Sequence, residues 1–195
     1  MVGYPILVPN ILNLTHPELE PLVELVVSNL ERAPLIYDMR SVDFINPYGA
    51  LLLLETARHV FQTTGYLVSF TNMHTDVYAY LERMNLFSQG ELWLNTNQLL
   101  PVHHRLARSR ASNNLLEITR LSSPKAQANF ISRAQTILNT WLKSSSAETA
   151  LIVTILSEVC SNADEHSRDK GHVMIQRYQY SNHTEVHIVV TDLGI

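Results

Sequence analysis

Glu158-Val159-Cys160-Ser161-Asn162-Ala163-Asp164-Glu165-His166-Ser167 is the stretch that decides how the second half of the chain folds. Glu158, Asn162 and His166 recur at i, i+4 and i+8. At about 3.6 residues per turn they drift slowly around a helix and share one face. Ile152, Ile155, Leu156, Val159 and Ala163 are read as an apolar stripe opposite them. The pattern predicts a helix from about Ala147 to Glu165 whose apolar stripe enters a core and whose outer seam carries a carboxylate, an amide and an imidazole. Such a seam can form the polar wall of a pocket. Taken alone, a polar i, i+4 pair is an ordinary solvated helix face. Asp192-Leu193-Gly194, taken alone, is only a strand-to-turn signal. Their conjunction carries the reading.

The neighbouring segments supply a frame for that helix. Leu115–Leu121 alternates as a strand should, and Ser122-Ser123-Pro124 opens a helix running to about Leu142. Ala126, Phe130, Ala134, Ile137, Leu138 and Trp141 repeat on one of its faces. Ser144-Ser145-Ser146 breaks it and caps the next. His172–Tyr180 and Glu185–Thr191, joined by Ser181-Asn182-His183-Thr184, read as an antiparallel hairpin. Two helices followed by a hairpin over an antiparallel sheet is an α+β order. Trp93 and Trp141 sit at apolar positions and are expected in cores.

The chemistry of these side chains suits a phosphorylated ligand. A nucleoside triphosphate normally arrives with Mg²⁺, a hard ion that prefers oxygen ligands and retains waters. A neutral Asn162 oxygen can ligate it without adding an anion beside the phosphates. Glu158 can accept a proton from an attacking hydroxyl or water. His166 can offer an N–H or a charge to phosphate. Asp192 at a strand end suits an exocyclic amine, and Gly194 leaves room for a base. The order Glu-x-x-x-Asn-x-x-x-His, two strands, Asp-x-Gly resembles the N-box and the start of the G1 box of the GHKL ATPases, which include gyrase B, histidine kinases and anti-sigma serine kinases. Asn162-Ala163-Asp164-Glu165-His166-Ser167 looks closest to the anti-sigma branch. The resemblance implies an incomplete α+β GHKL-like (Bergerat) domain over residues 114–195. It implies catalysis at Glu158, Mg²⁺ ligation at Asn162, and ATP contacts at Asn162, His166, Asp192 and Gly194. The family's lid and second glycine-rich turn would follow Ile195. ATP and Mg²⁺ are therefore expected to bind a chain extended past that point, and this one weakly or not at all.

The first half alternates strand and helix. Ile6–Leu12 and Leu35–Met39 read as strands, with Leu19, Leu22, Val23, Val26, Val27 and Leu30 at helical spacing between them. Thr15-His16-Pro17-Glu18 reads as the start of that helix. Asn46-Pro47 opens a second helix that Gly65 ends; Tyr66–Thr71 is a strand and about Thr75–Met84 a third helix. This is an α/β layer pattern. The segments Leu35–Ile45, Tyr48–Leu52, Gly65–Phe70 and Tyr80–Leu86 resemble a STAS domain, the fold of anti-sigma-factor antagonists, and imply a STAS-like unit over residues 1–100. That family's phosphorylatable Ser or Thr stands just before the helix glycine, where this chain has Tyr48. Serine phospho-switching is not implied, and Tyr48 is expected as an exposed aromatic contact for a protein partner.

Composition narrows the classes. The chain has 195 residues, 46% of them hydrophobic, and a net charge of −4 with histidines neutral. Nothing in that balance suggests a nucleic-acid surface. The basic stretch His103–Arg110 lies in an expected solvated linker, residues 101–113. The one cysteine, Cys160, is expected as a small buried filler in a reducing compartment. No apolar run reaches the roughly 18 residues of a membrane helix, and no signal peptide is evident. A cytoplasmic regulator is expected, with an anti-sigma or antagonist-type protein as partner and a homodimer as the other expected contact. Two functions follow: an ATP-dependent serine/threonine kinase coupled to a STAS module, or a pair of interaction modules with vestigial or absent nucleotide binding.

Overall fold

The computed structural model describes residues 3–13, 17, 19–97, 115–142, 145–165 and 170–193, and its chain separates into two compact units, Met1–Ala111 and Ser112–Ile195. The expected linker 101–113 and the Thr15–Glu18 helix start fall outside the described residues, apart from Pro17. The fold is mixed α/β, with a parallel sheet in the first unit and an antiparallel one in the second. Among the described residues no helix is long and apolar enough to cross a membrane.

In the first unit β1 (Tyr4–Leu7), β3 (Leu35–Asp38), β5 (Val68–Thr71) and β6 (Leu94–Thr96) form a parallel sheet in that order. The expected single strand Ile6–Leu12 is two: β2 (Ile11–Leu12) leaves the main sheet and pairs in parallel with β4 (Phe44–Ile45). Pro9 lies between β1 and β2 and lacks the N–H a continuous ladder needs. Side chains alternate across the main sheet. Ile6, Leu35, Tyr37, Val68, Phe70 and Leu94 are buried, while Leu7 is 58% exposed and Asn95 is exposed on the other face.

Helices α1 (Leu19–Ser28), α2 (Pro47–Thr64), α3 (Thr75–Arg83) and α4 (Leu86–Gln89) follow the strands. On α1 the core takes Leu19, Leu22 and Val26, but Val27, expected inward, is 49% exposed. A 10-residue helix with apolar residues at 22, 23, 25, 26 and 27 has more of them than one face can bury. The start of α2 is specified locally. Asn46 in extended conformation accepts a hydrogen bond from the Gly49 N–H at 3.0 Å, with Pro47 in the first turn. Gly65, at φ 76°, ends the helix in the left-handed region. Within α2, Arg58 is fully buried, bonded to Glu55 at 3.0 Å and stacked on the Trp93 ring at 5.2 Å. The partnering lets the charge be buried.

The second unit has β7 (Leu115–Arg120), β8 (His172–Gln179) and β9 (Thr184–Thr191) in one antiparallel sheet. Helices α5 (Pro124–Trp141) and α6 (Ser146–Glu165) pack with it. Ser123 caps α5 through the Ala126 N–H at 3.2 Å. Ser145 and Glu148 cap α6 reciprocally: Ser145 N donates to Glu148 Oε2 at 2.8 Å and Glu148 N donates to Ser145 Oγ at 3.3 Å. The Ser145 N–H first, and then the Ser145 hydroxyl, which donates to the same Oε2 at 3.0 Å, hold the Glu148 carboxyl below its ordinary range. Phe130, Ala134, Leu138 and Trp141 meet Leu156, Cys160, Val173 and Ile175 in the core. Both tryptophans are buried as expected, at 5% exposure.

Gly49 is where the small sheet touches α2. A Cβ there would lie 2.5 Å from both Leu12 Cβ and the Leu12 carbonyl oxygen. Gly49→Ala is predicted to destabilise the first unit by about 1–3 kcal/mol, the usual cost of overpacking. Urea unfolding followed by Trp93 fluorescence in a Trp141→Phe background reads that unit alone; an unchanged midpoint contradicts the contact.

Candidate functional site

Helix α6 carries most of the expected site residues, and its rotation differs from the expected one. Val153, Leu156, Cys160 and Ala163 face the core, while Ile155 is 54% and Val159 43% exposed. The reason is visible in the sequence of α6 itself: apolar residues occur almost all round it, so their spacing does not choose one stripe. Glu158 and Asn162 are exposed on consecutive turns. Leu151, 61% exposed, extends the apolar strip beside them. The outward face is therefore half apolar and half polar, where an all-polar seam was expected.

Asp192 is exposed immediately after β9. Gly171 brings that strand end close to α6. A Cβ on Gly171 would fall on the Thr191 carbonyl and would stand 3.3 Å from the Ala163 Cβ. His172 pairs with Thr191 in the ladder, and the Thr191 hydroxyl donates to the His172 carbonyl at 3.4 Å. Asn162 precedes Ala163 and Asp192 follows Thr191, so the amide and the carboxylate are each one residue from a group packed on Gly171. Glu158 lies one turn further back along α6. His166 and Gly194 are outside the described residues. Cys160 is fully buried, and burial pushes its thiol up to about 11, which suits a filler rather than a nucleophile.

Tyr48 belongs to the first unit, in the first turn of α2, and is half-buried where an exposed position was expected. Its neighbours Pro47 and Gly49 are buried, and that packing limits how far the ring projects. Exposed Phe44 (44%) stands just upstream on β4.

Two polar clusters were missed by sequence reasoning. At the carboxyl ends of β3 and β5, Asp38 accepts from Arg40 Nε at 2.8 Å and from Asn72 Nδ2 at 2.9 Å, with His74 Nε2 2.9 Å from the Arg40 carbonyl. Bonding to Arg40 above all holds the Asp38 carboxyl below its ordinary value. The acid–base pair at i, i+2 just after a strand was the available signal. On the β8–β9 hairpin, Glu185 lies between His183 Nε2 (3.0 Å) and His187 Nε2 (3.2 Å), which hold its carboxyl low. Period-two spacing from residue 183 to 187 marks them as one strand face.

Among the described residues no group of three or more His, Cys, Asp or Glu is arranged to hold a metal ion. A Mg²⁺ at Asn162 would thus take one amide oxygen from the protein and the rest from phosphates and water, which fits the ion's ligand preference. Comparison with known proteins returned no match, whether to family models, curated sequences or solved structures.

Two outcomes follow. Gly171→Ala is predicted to part the β8 start from the β9 end. Amide exchange at His172 and Thr191 should quicken while the α5 core, Phe130 to Leu138, stays protected; unchanged exchange at Thr191 contradicts the close approach. For Asp38, a depressed folded-state pKa means stability present above the unfolded value near 3.9 and lost as pH falls through the folded one. Acid titration below about pH 4 should therefore weaken the first unit of the wild type more than that of Asp38→Asn, and parallel losses would show that the pairing adds nothing.

Proposed function

We propose that this chain is a signalling regulator in which a STAS-like partner-binding unit is joined to an adenine-nucleotide-binding unit of the anti-sigma serine/threonine kinase type. The observation that carries this reading is the placement of Glu158 and Asn162 outward on successive turns of α6, with Asp192 drawn to the same helix end through Ala163, Gly171 and Thr191. In this reading Asn162 offers its amide oxygen to the metal, and Asp192 accepts from the adenine amine. Glu158 takes the proton of the attacking hydroxyl. Mg²⁺-ATP, when bound, supplies the transferable phosphoryl group and neutralises its developing charge. Tyr48 and Phe44 offer an aromatic contact at the start of α2 to a protein partner of the antagonist type.

A second reading, two interaction modules without nucleotide turnover, is favoured by one observation. Leu151, Ile155 and Val159 leave apolar area exposed directly beside Glu158 and Asn162, and such patches often meet another protein.

Isothermal titration of ATP with and without Mg²⁺ separates the two. The 195-residue chain is predicted to bind Mg²⁺-ATP in the millimolar range, about 4 kcal/mol. Asn162→Ala should leave only the metal-independent affinity. Asp192→Asn should weaken ATP about tenfold and pyrophosphate little, as expected for one lost charge-assisted hydrogen bond. Glu158→Gln should bind like the wild type. Absence of any Mg²⁺-dependent heat at millimolar nucleotide removes nucleotide binding by this chain and leaves the interaction modules as its reading.

A further inference from the structure

Helix α6 has two plausible inward faces, and apolar burial favours the one it does not use. The stripe Ile152, Ile155, Leu156, Val159 and Ala163 holds more branched aliphatic area than Val153, Leu156, Cys160 and Ala163, which the core receives with Ile152 only partly buried against it. At 100° per residue the centres of the two faces lie about 60° apart, and they share Leu156 and Ala163. Turning the helix through that angle would bury Ile155 and Val159, now 54% and 43% exposed, a gain on the scale of apolar transfer. The turn would also carry Glu158 and Asn162 sideways, away from the fully outward direction.

A polar contact on the flank opposes that turn. Gln127, in the first turns of α5 beside its Ser123 cap, donates from Nε2 to Ser161 Oγ at 2.8 Å and reaches the Ser157 carbonyl at 3.4 Å. Ser157 and Ser161 lie one turn apart on a single flank of α6, and each immediately precedes a site residue. A 60° rotation moves even the Cα atoms, at a radius of about 2.3 Å, by about 2 Å. That is enough to break the 2.8 Å bond. We propose that Gln127 is a positioning residue: its clasp on Ser161 selects the rotation of α6 that turns Glu158 and Asn162 outward, against a competing packing with Ile155 and Val159 inside. The functional meaning rests on the nucleotide reading; the choice of rotation does not.

Cys160, the only cysteine, is fully buried in the observed rotation and moves to the edge of the buried face in the other. Its labelling by a soluble aromatic disulfide therefore reports the rotation, with no nucleotide present. Gln127→Leu is expected to speed labelling in the absence of denaturant about tenfold, the population change set by one lost side-chain hydrogen bond. The rate should stay flat at low urea, because a rotation exposes little surface. Ser161→Ala, which removes one hydroxyl and guards against a folding failure of the first variant, should act alike, and the double variant should add nothing more. The proposal is overturned if labelling is unchanged in both variants. It is equally overturned if labelling rises only with the urea dependence of global unfolding, the signature of a merely stabilising bond. Because nucleotide is absent, failure here leaves the nucleotide reading standing, and failure of Mg²⁺-ATP titration leaves the clasp standing.

Discussion

The close seating of α6 on the β8–β9 ribbon is the contact on which the second unit's candidate site depends. It works only because the facing groups are small: Ala163 on the helix, Gly171 at the start of β8, and the backbone of Thr191 at the end of β9. A larger residue at position 171 would have to displace a carbonyl rather than a flexible side chain. The same approach carries Asn162 and Asp192, which are 30 residues apart in sequence, toward a common end of the domain. Burial energy and site geometry thus meet at one glycine.

The first unit solves a similar problem with different parts. There the approach of β2 to α2 is made by Gly49 over Leu12, and the helix start is fixed by Asn46. The functional candidates of this unit lie at the carboxyl-end edge of its strands. Asp38 and Asn72 leave the carboxyl ends of β3 and β5, and Tyr48 enters α2 after β4. Ligand and partner sites in open α/β sheets commonly form at that edge. The clasp of Arg40 and Asn72 on Asp38 ties the two loops there, and Phe44 on β4 is exposed.

Local rules made much of this legible in advance. Asn46-Pro47 and Gly65 mark the ends of α2, Ser123-Pro124 opens α5, and the alternation from His172 to Thr191 gives the hairpin, because each depends on a few neighbouring residues. What stayed hidden depends on partners distant in the chain. Pro9 hints at a break, but nothing local says that Ile11–Leu12 pairs with Phe44–Ile45. The rotation of α6 was misjudged because Ile155 and Val159 are as apolar as the residues that displace them. The deciding contact, Gln127 to Ser161, spans 34 positions. Tyr48 was read as exposed from its place at a helix start, yet buried Pro47 and Gly49 on either side hold it half-covered.

A metal at Asn162 is the most direct mark of the nucleotide reading, and Mn²⁺ makes it observable. With Mn²⁺-ATP added in substoichiometric amounts, paramagnetic broadening within the second unit should be strongest at the Asn162 side-chain amide, reach Glu158, and extend more weakly to Thr191 and Asp192. Broadening confined to His183, Glu185 and His187 on the hairpin, or spread evenly over the surface carboxylates, would contradict the account.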